Sequence, residues 1–130
     1  MLKGVAVAVA VLVLATACAD DEPTTITVAG QPVPVASLVD AHAALCEAAA
    51  APDAARRLFF DRSHEQLHTV ARGLEDVDRA EAARLLQAKE KVESELPSPP
   101  ASLPDDLRTL AAVYRDGLGR LAITAPPCDK

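Results

Sequence analysis

The stretch Ser37–Ala51, SLVDAHAALCEAAAA, repeats apolar residues at Leu38, Ala41, Leu45, Ala48 and Ala49. That three-to-four spacing lines one face of an α-helix, with Ser37 placed as N-cap and Pro52 as the stop. Outward from it the same period continues. A second helix is predicted from Asp53 to Glu75, burying Phe60, Leu67, Val70, Ala71 and Leu74, with Gly73 weakening its last turn by up to about 1 kcal/mol. DRAE, from Asp78 to Glu81, is a capping box that opens a third helix through Leu85, Leu86, Val92 and Leu96. PSPPASLP then breaks the pattern. Pro104, Asp105 and Asp106 form the acidic first turn of a fourth helix through Leu107, Leu110, Ala111, Tyr114, Leu118 and Leu121. Short connections between amphipathic helices predict an all-α, antiparallel four-helix up-and-down bundle. Alanines at 41, 48, 49, 71 and 111 would let helix axes approach closely. Before the helices, TITVAGQPVPVAS carries two short β-rich runs around Gly30 and Gln31. They are compatible with a β-hairpin whose second run Pro32 and Pro34 confine to an edge, and which needs the helices for support.

The chain opens MLKGVAVAVAVLVLATAC: a cation at Lys3, an apolar run from Val5 to Leu14, then Ala15, Thr16 and Ala17 before Cys18. This is the anatomy of a secretory signal, too short for a comfortable membrane span. LATAC resembles the lipobox of bacterial lipoproteins, with Leu14 at the outer position and Ala15 where leucine is more usual. The resemblance covers Met1 to about Glu22. It implies diacylglycerol on Cys18, cleavage before it and acylation of the new amino terminus, and so anchoring on the extracytoplasmic face of the cell membrane. Residues 1–17 would be the signal peptide, 18–25 a polar tether and 26–130 one helical domain. Beyond the lipobox, the chain resembles the small helical lipoproteins of alanine-rich bacterial proteomes, a likeness that implies no activity.

The full chain has a net charge of −6, and losing Lys3 with the leader makes it −7. Such a chain repels nucleic acid and anionic headgroups, so no nucleic-acid partner is expected and membrane attachment falls to acyl chains. An extracytoplasmic protein partner fits an anchored binding or accessory module. With Cys18 committed to lipid, Cys46 and Cys128 remain in a compartment that permits oxidation, and they are predicted to pair. The bridge would close a loop worth roughly 4.5 kcal/mol in the chain-entropy model. That contribution matters in a domain with three aromatic side chains, Phe59, Phe60 and Tyr114.

The second predicted helix carries His64, Glu65 and His68 as H-E-x-x-H, within FFDRSHEQLHTVARG. In zinc proteases resembling this pattern, the two histidines bind zinc and Glu65 acts as general base. The metzincin continuation fails, because Ala71 stands where glycine is needed and Leu74 where histidine is needed. No glutamate-bearing helix motif of the other zinc proteases is evident downstream, so the chain is not read as an enzyme, and an H-E-x-x-H zinc peptidase is the rival. The preferred chemistry is a non-catalytic metal site. His64 and His68 at i,i+4 reach one ion, and Asp61 or His42 completes the set, with Glu65 a less favourable fourth ligand. Imidazole with carboxylate suits Zn, Cu(II) or Ni. Asp61, His64 and His68 stand at i, i+3 and i+7 of this helix, so all three point from one side. If the first two helices fold back at Pro52, His42 lies about 15 Å and His64 about 18 Å from the turn, level with each other. Without metal, His42 would instead be a core histidine donating to Asp61, and SHEQLH a polar helix surface that docks a partner.

Overall fold

The computed structural model describes residues 23–129. The predicted leader and Cys18 lie outside them. Strands β1 (Thr25–Val28) and β2 (Gln31–Pro34) precede five helices: α1 (Val35–Ala50), α2 (Ala55–Arg62), α3 (His64–Glu75), α4 (Arg79–Glu95) and α5 (Leu103–Arg120). The chain is therefore mostly helical with a short antiparallel hairpin, and its helices number five where the periodicity predicts four.

The hairpin closes on Ala29 and Gly30, both with positive φ (49° and 78°). Left-handed geometry at both central residues is what a two-residue turn between right-twisted strands requires. Val28 pairs with Gln31, Thr27 with Pro32, Ile26 with Val33 and Thr25 with Pro34. Counting from the closing pair, both prolines fall at alternate positions whose nitrogen points away from β1, so neither costs a ladder bond. Val28 is buried, and Ile26 and Val33 pack on the helices.

Helix α1 begins at Val35, directly from β2. The Val35 N–H donates to Thr24 O at 2.9 Å, and the Ser37 hydroxyl donates back to Pro34 O at 2.8 Å. Ser37 thus lies inside the first turn and is not the N-cap that the sequence predicts.

The predicted second helix is divided. A 3₁₀ turn over Pro52–Ala54 leads into α2, and Ser63, at φ −132° and ψ −29°, separates α2 from α3. The buried Ser63 hydroxyl donates to Phe59 O at 2.8 Å, the local bond by which serine competes with regular helix. The break re-aims the aromatic pair. Phe59 is fully buried, whereas Phe60, expected in the core, is 47% exposed.

Half of the predicted capping box forms: the Asp78 carboxylate accepts from Glu81 N–H at 3.1 Å, whereas Asp78 N–H donates to Leu74 O at 2.7 Å and the Glu81 carboxylate meets Arg84 instead. Helix α5 carries Asp105 and Asp106 in its first turn. It packs on α1, α4 and α3, which makes it the central strut. Buried Tyr114 on α5 donates its hydroxyl to Leu38 O of α1 at 2.7 Å. A β-carbon at Gly117 would come within 3.0 Å of Leu74 Cδ1, so glycine is what lets α5 sit this close to α3.

Helix α5 ends in a Schellman motif. Ile123 N–H donates to Leu118 O and Ala122 N–H to Gly119 O, with Ala122 left-handed at φ 61°. Ile123 and Ala125 are then buried, and Arg115 Nε donates to Ala125 O at 2.7 Å. This turns the tail back over α1, where Cys128 is disulfide-bonded to Cys46 with their Cα atoms 5.3 Å apart. The predicted pairing is present. No helix among the described residues is long and apolar enough to cross a membrane.

Candidate metal centre

Starting α3 at His64 places His64 and His68 one turn apart on the side that meets α4. Their rings lie 4.9 Å apart between centroids and nearly perpendicular. Across the interface, α4 presents Lys89 and Glu93, also one turn apart. His64 Nε2 is 3.0 Å from Glu93 Oε1, and Lys89 Nζ is 2.7 Å from the same oxygen. His64, His68 and Glu93 each offer one ligand atom, all within 4.8 Å of one another.

Burial grades across this cluster. Lys89 is 5% exposed, His64 and Glu93 are half-buried, and His68 is exposed at the mouth. Glu93 Oε1 is enclosed, with the Lys89 ammonium and the His64 ring as its close neighbours. Burial by itself would raise the Glu93 pKa. Lys89 and His64 together outweigh that and hold it below the usual carboxylate range. His68 is held below the ordinary imidazole range, first by the shielding of its ring and then by Lys89 and His64. A neutral imidazole and an ionised carboxylate are the protonation states a divalent ion needs. Phe60 and Phe59 flank His64 at 5.5 and 5.8 Å between ring centroids and restrict its ring from the α2 side.

The other predicted ligands lie elsewhere. Asp61 belongs to α2, is exposed, and joins neither metal-ligating cluster among the described residues, because the break at Ser63 removes the helical register that would have aligned it with His64. His42 is 2% exposed, stacks on Tyr114 at 6.4 Å and sits 3.8 Å from Cys46 Sγ. Its neighbours are α5 and the disulfide, and burial, followed by Arg115, lowers its pKa. Arg62, next in sequence to Asp61, clamps Asp40 and Glu47 of α1 at 2.9 and 2.8 Å. Glu65 is exposed on α3.

Sequence reasoning missed Glu93 and Lys89. The signal was Lys89 itself, which occupies the stripe of Leu85, Val92 and Leu96 where an apolar residue belongs. A lysine on a core stripe implies a buried carboxylate partner, and Glu93 stands one turn on.

The chain matches no protein-family model, and neither curated proteins nor solved structures show significant similarity to it.

Proposed function

We propose that this protein is a lipid-anchored extracytoplasmic binding module that holds one divalent metal ion at His64, His68 and Glu93. The observation that carries the reading is the convergence of two imidazoles and an enclosed carboxylate oxygen within 4.8 Å, from two helices packed against each other. Two nitrogens and one oxygen at bonds of about 2.0–2.2 Å form a three-ligand zinc site with a fourth position open. The same set suits Ni²⁺ and Cu²⁺, and any of these ions would take the place of the Lys89 ammonium on Glu93.

Anchoring at Cys18 is supported by the leader sequence. The tether enters at β1, and Val28 of β1 lies against the Gly73 turn of α3. His64 is then about 14 Å farther along α3, at 1.5 Å per residue. Exposed His68 marks a mouth accessible to an ion or to a metal-delivering partner. The four helical segments expected to form an up-and-down bundle correspond to α1, α2 with α3, α4 and α5, and in this reading they serve as a rigid frame for the site.

One observation favours the peptidase reading: Glu93 offers a helix-borne third ligand atom beside His64 and His68. Against it, four clefts of about 420, 350, 370 and 320 Å³ are each lined by residues other than His64, Glu65 and His68.

Thermal unfolding of the full chain with and without Zn²⁺, Cu²⁺ or Ni²⁺ tests the binding reading. A bound ion raises stability by RT ln(1 + [L]/Kd), and His64→Ala/His68→Ala loses that gain. An equal metal response in the parent and the double variant contradicts the assignment. Peptide turnover that Glu65→Gln abolishes while metal stays bound would favour the peptidase instead.

A further inference from the structure

We propose that His42, Cys46 and Cys128 form a second, redox-gated metal site, which binds Zn²⁺ through two thiolates and one imidazole only when the disulfide is reduced. It is independent of the His64 centre and shares no residue with it.

Placement is the first support. The two sulfurs and a ring nitrogen of His42 all lie within 4.8 Å of one another, and both ring nitrogens stand 3.8 Å from Cys46 Sγ. On a tetrahedral zinc, with Zn–S of about 2.3 Å, two sulfurs sit roughly 3.8 Å apart. Loss of the S–S bond followed by a small separation of the sulfurs reaches that geometry.

The second support is that the tail carrying Cys128 is held by more than the disulfide. Ile123 and Ala125 are buried, the Schellman turn fixes the exit from α5, and Arg115 Nε holds Ala125 O at 2.7 Å. Cys128 is three residues beyond that anchor, so it stays close to Cys46 after reduction. His42 is in turn fixed by its position on α1 and by Tyr114 stacked against it.

Access is the third. Clefts of about 350 and 370 Å³ flank the bridge, one beside Val39, Ala43 and Pro126, the other beside Arg108 and Ala112. Both cysteines are half-buried rather than sealed.

The chemistry balances with a dithiol as reductant. Its thiolate attacks one sulfur and breaks the Cys46–Cys128 bond. Its second thiol then resolves the mixed disulfide, leaving the donor oxidised to its own disulfide and this chain with two thiols. Zn²⁺ displaces the two thiol protons to solvent and takes one imidazole nitrogen, with water in the fourth position.

Cobalt titration of the full chain carrying His64→Ala/His68→Ala, which silences the other centre, tests this. With a phosphine reductant, one equivalent of Co²⁺ should produce a thiolate-to-cobalt charge-transfer band that Zn²⁺ bleaches, and the oxidised chain should show none. Cys46→Ser or Cys128→Ser should abolish the band, and His42→Ala should weaken binding at least tenfold. Absence of the band in reduced protein that keeps its helical circular dichroism would overturn the proposal, as would unchanged affinity in His42→Ala. Loss of the helical signal on reduction alone would overturn it too, because the site depends on a tail that stays in place.

Discussion

His64 Nε2 lies 3.0 Å from Glu93 Oε1 across the α3–α4 interface, and Lys89 Nζ approaches the same oxygen at 2.7 Å. One carboxylate oxygen thus faces an imidazole and an ammonium. Replacing Lys89 by Met separates the ammonium's role from that of a metal. Removing it leaves an enclosed carboxylate short of its counter-charge, at a cost of about 1–3 kcal/mol in the metal-free protein. The stability gained from Zn²⁺ should then be larger in Lys89→Met than in the parent, since the ion no longer displaces an ammonium. Urea denaturation with and without Zn²⁺ measures both quantities.

Tyr114 ties α5 to α1 through its bond to Leu38 O, 76 residues away in sequence. Burial pushes its pKa far above the ordinary phenol value, so the hydroxyl remains a donor over the whole working pH range. Tyr114→Phe keeps the ring and loses the donor. The expected loss is about 0.5–1.5 kcal/mol at an unchanged denaturant slope, read by urea unfolding.

Two alanines hold left-handed backbone, Ala29 in the hairpin turn and Ala122 at the end of α5. Left-handed geometry costs an L-residue roughly 1–2 kcal/mol, and glycine escapes that cost while losing some entropy on folding. Ala29→Gly and Ala122→Gly should each stabilise by about 0.5–1 kcal/mol, seen as higher melting temperatures. Gly30→Ala should do the reverse.

The junction of α4 and α5 carries a carboxyl pair. Glu95 Oε2 and Asp106 Oδ2 are both enclosed without a donor. Burial, then Asp106, raises the Glu95 pKa, while Lys91 at 2.8 Å lowers that of Asp106. Glu95, raised in the fold, contributes stability at pH below its unfolded value and loses it as pH climbs through the folded value. Asp106, lowered, contributes above its unfolded value and loses that as pH falls. Glu95→Gln should therefore melt higher than the parent at pH 7, with the difference shrinking toward pH 4. A melting series across that range checks the sign.

Much of the fold was legible because its signals are local. The stripe from Leu38 to Ala49, the Asp78–Glu81 box and the acidic start of α5 each fix a helix within a few residues. The disulfide was legible from the cysteine count together with the oxidising compartment that the leader sequence leads one to expect. What the sequence hid was the break at Ser63. Neither glycine nor proline marks it, and it rests on a hydroxyl folding back onto Phe59 O. The break separates Asp61 of α2 from His64 of α3 and raises the number of helices to five. The candidate site was half legible. His64 and His68 stand at a spacing that advertises itself, whereas Glu93 reaches them only through the packing of α3 on α4. His42 shares the apolar stripe of α1, but the direction of that stripe, toward Tyr114 and the returning tail, is set by tertiary structure.

Equilibrium dialysis of the oxidised full chain against Zn²⁺, with the metal counted per chain, tests the His64–His68–Glu93 centre most directly. The parent should retain one ion, and Glu93→Gln, which keeps the shape and removes the charge, should lose at least tenfold in affinity, as should His68→Ala. Asp61→Asn and His42→Ala should bind as the parent does. Parent protein without stoichiometric zinc, or a Glu93→Gln variant that binds as tightly as the parent, would contradict the account.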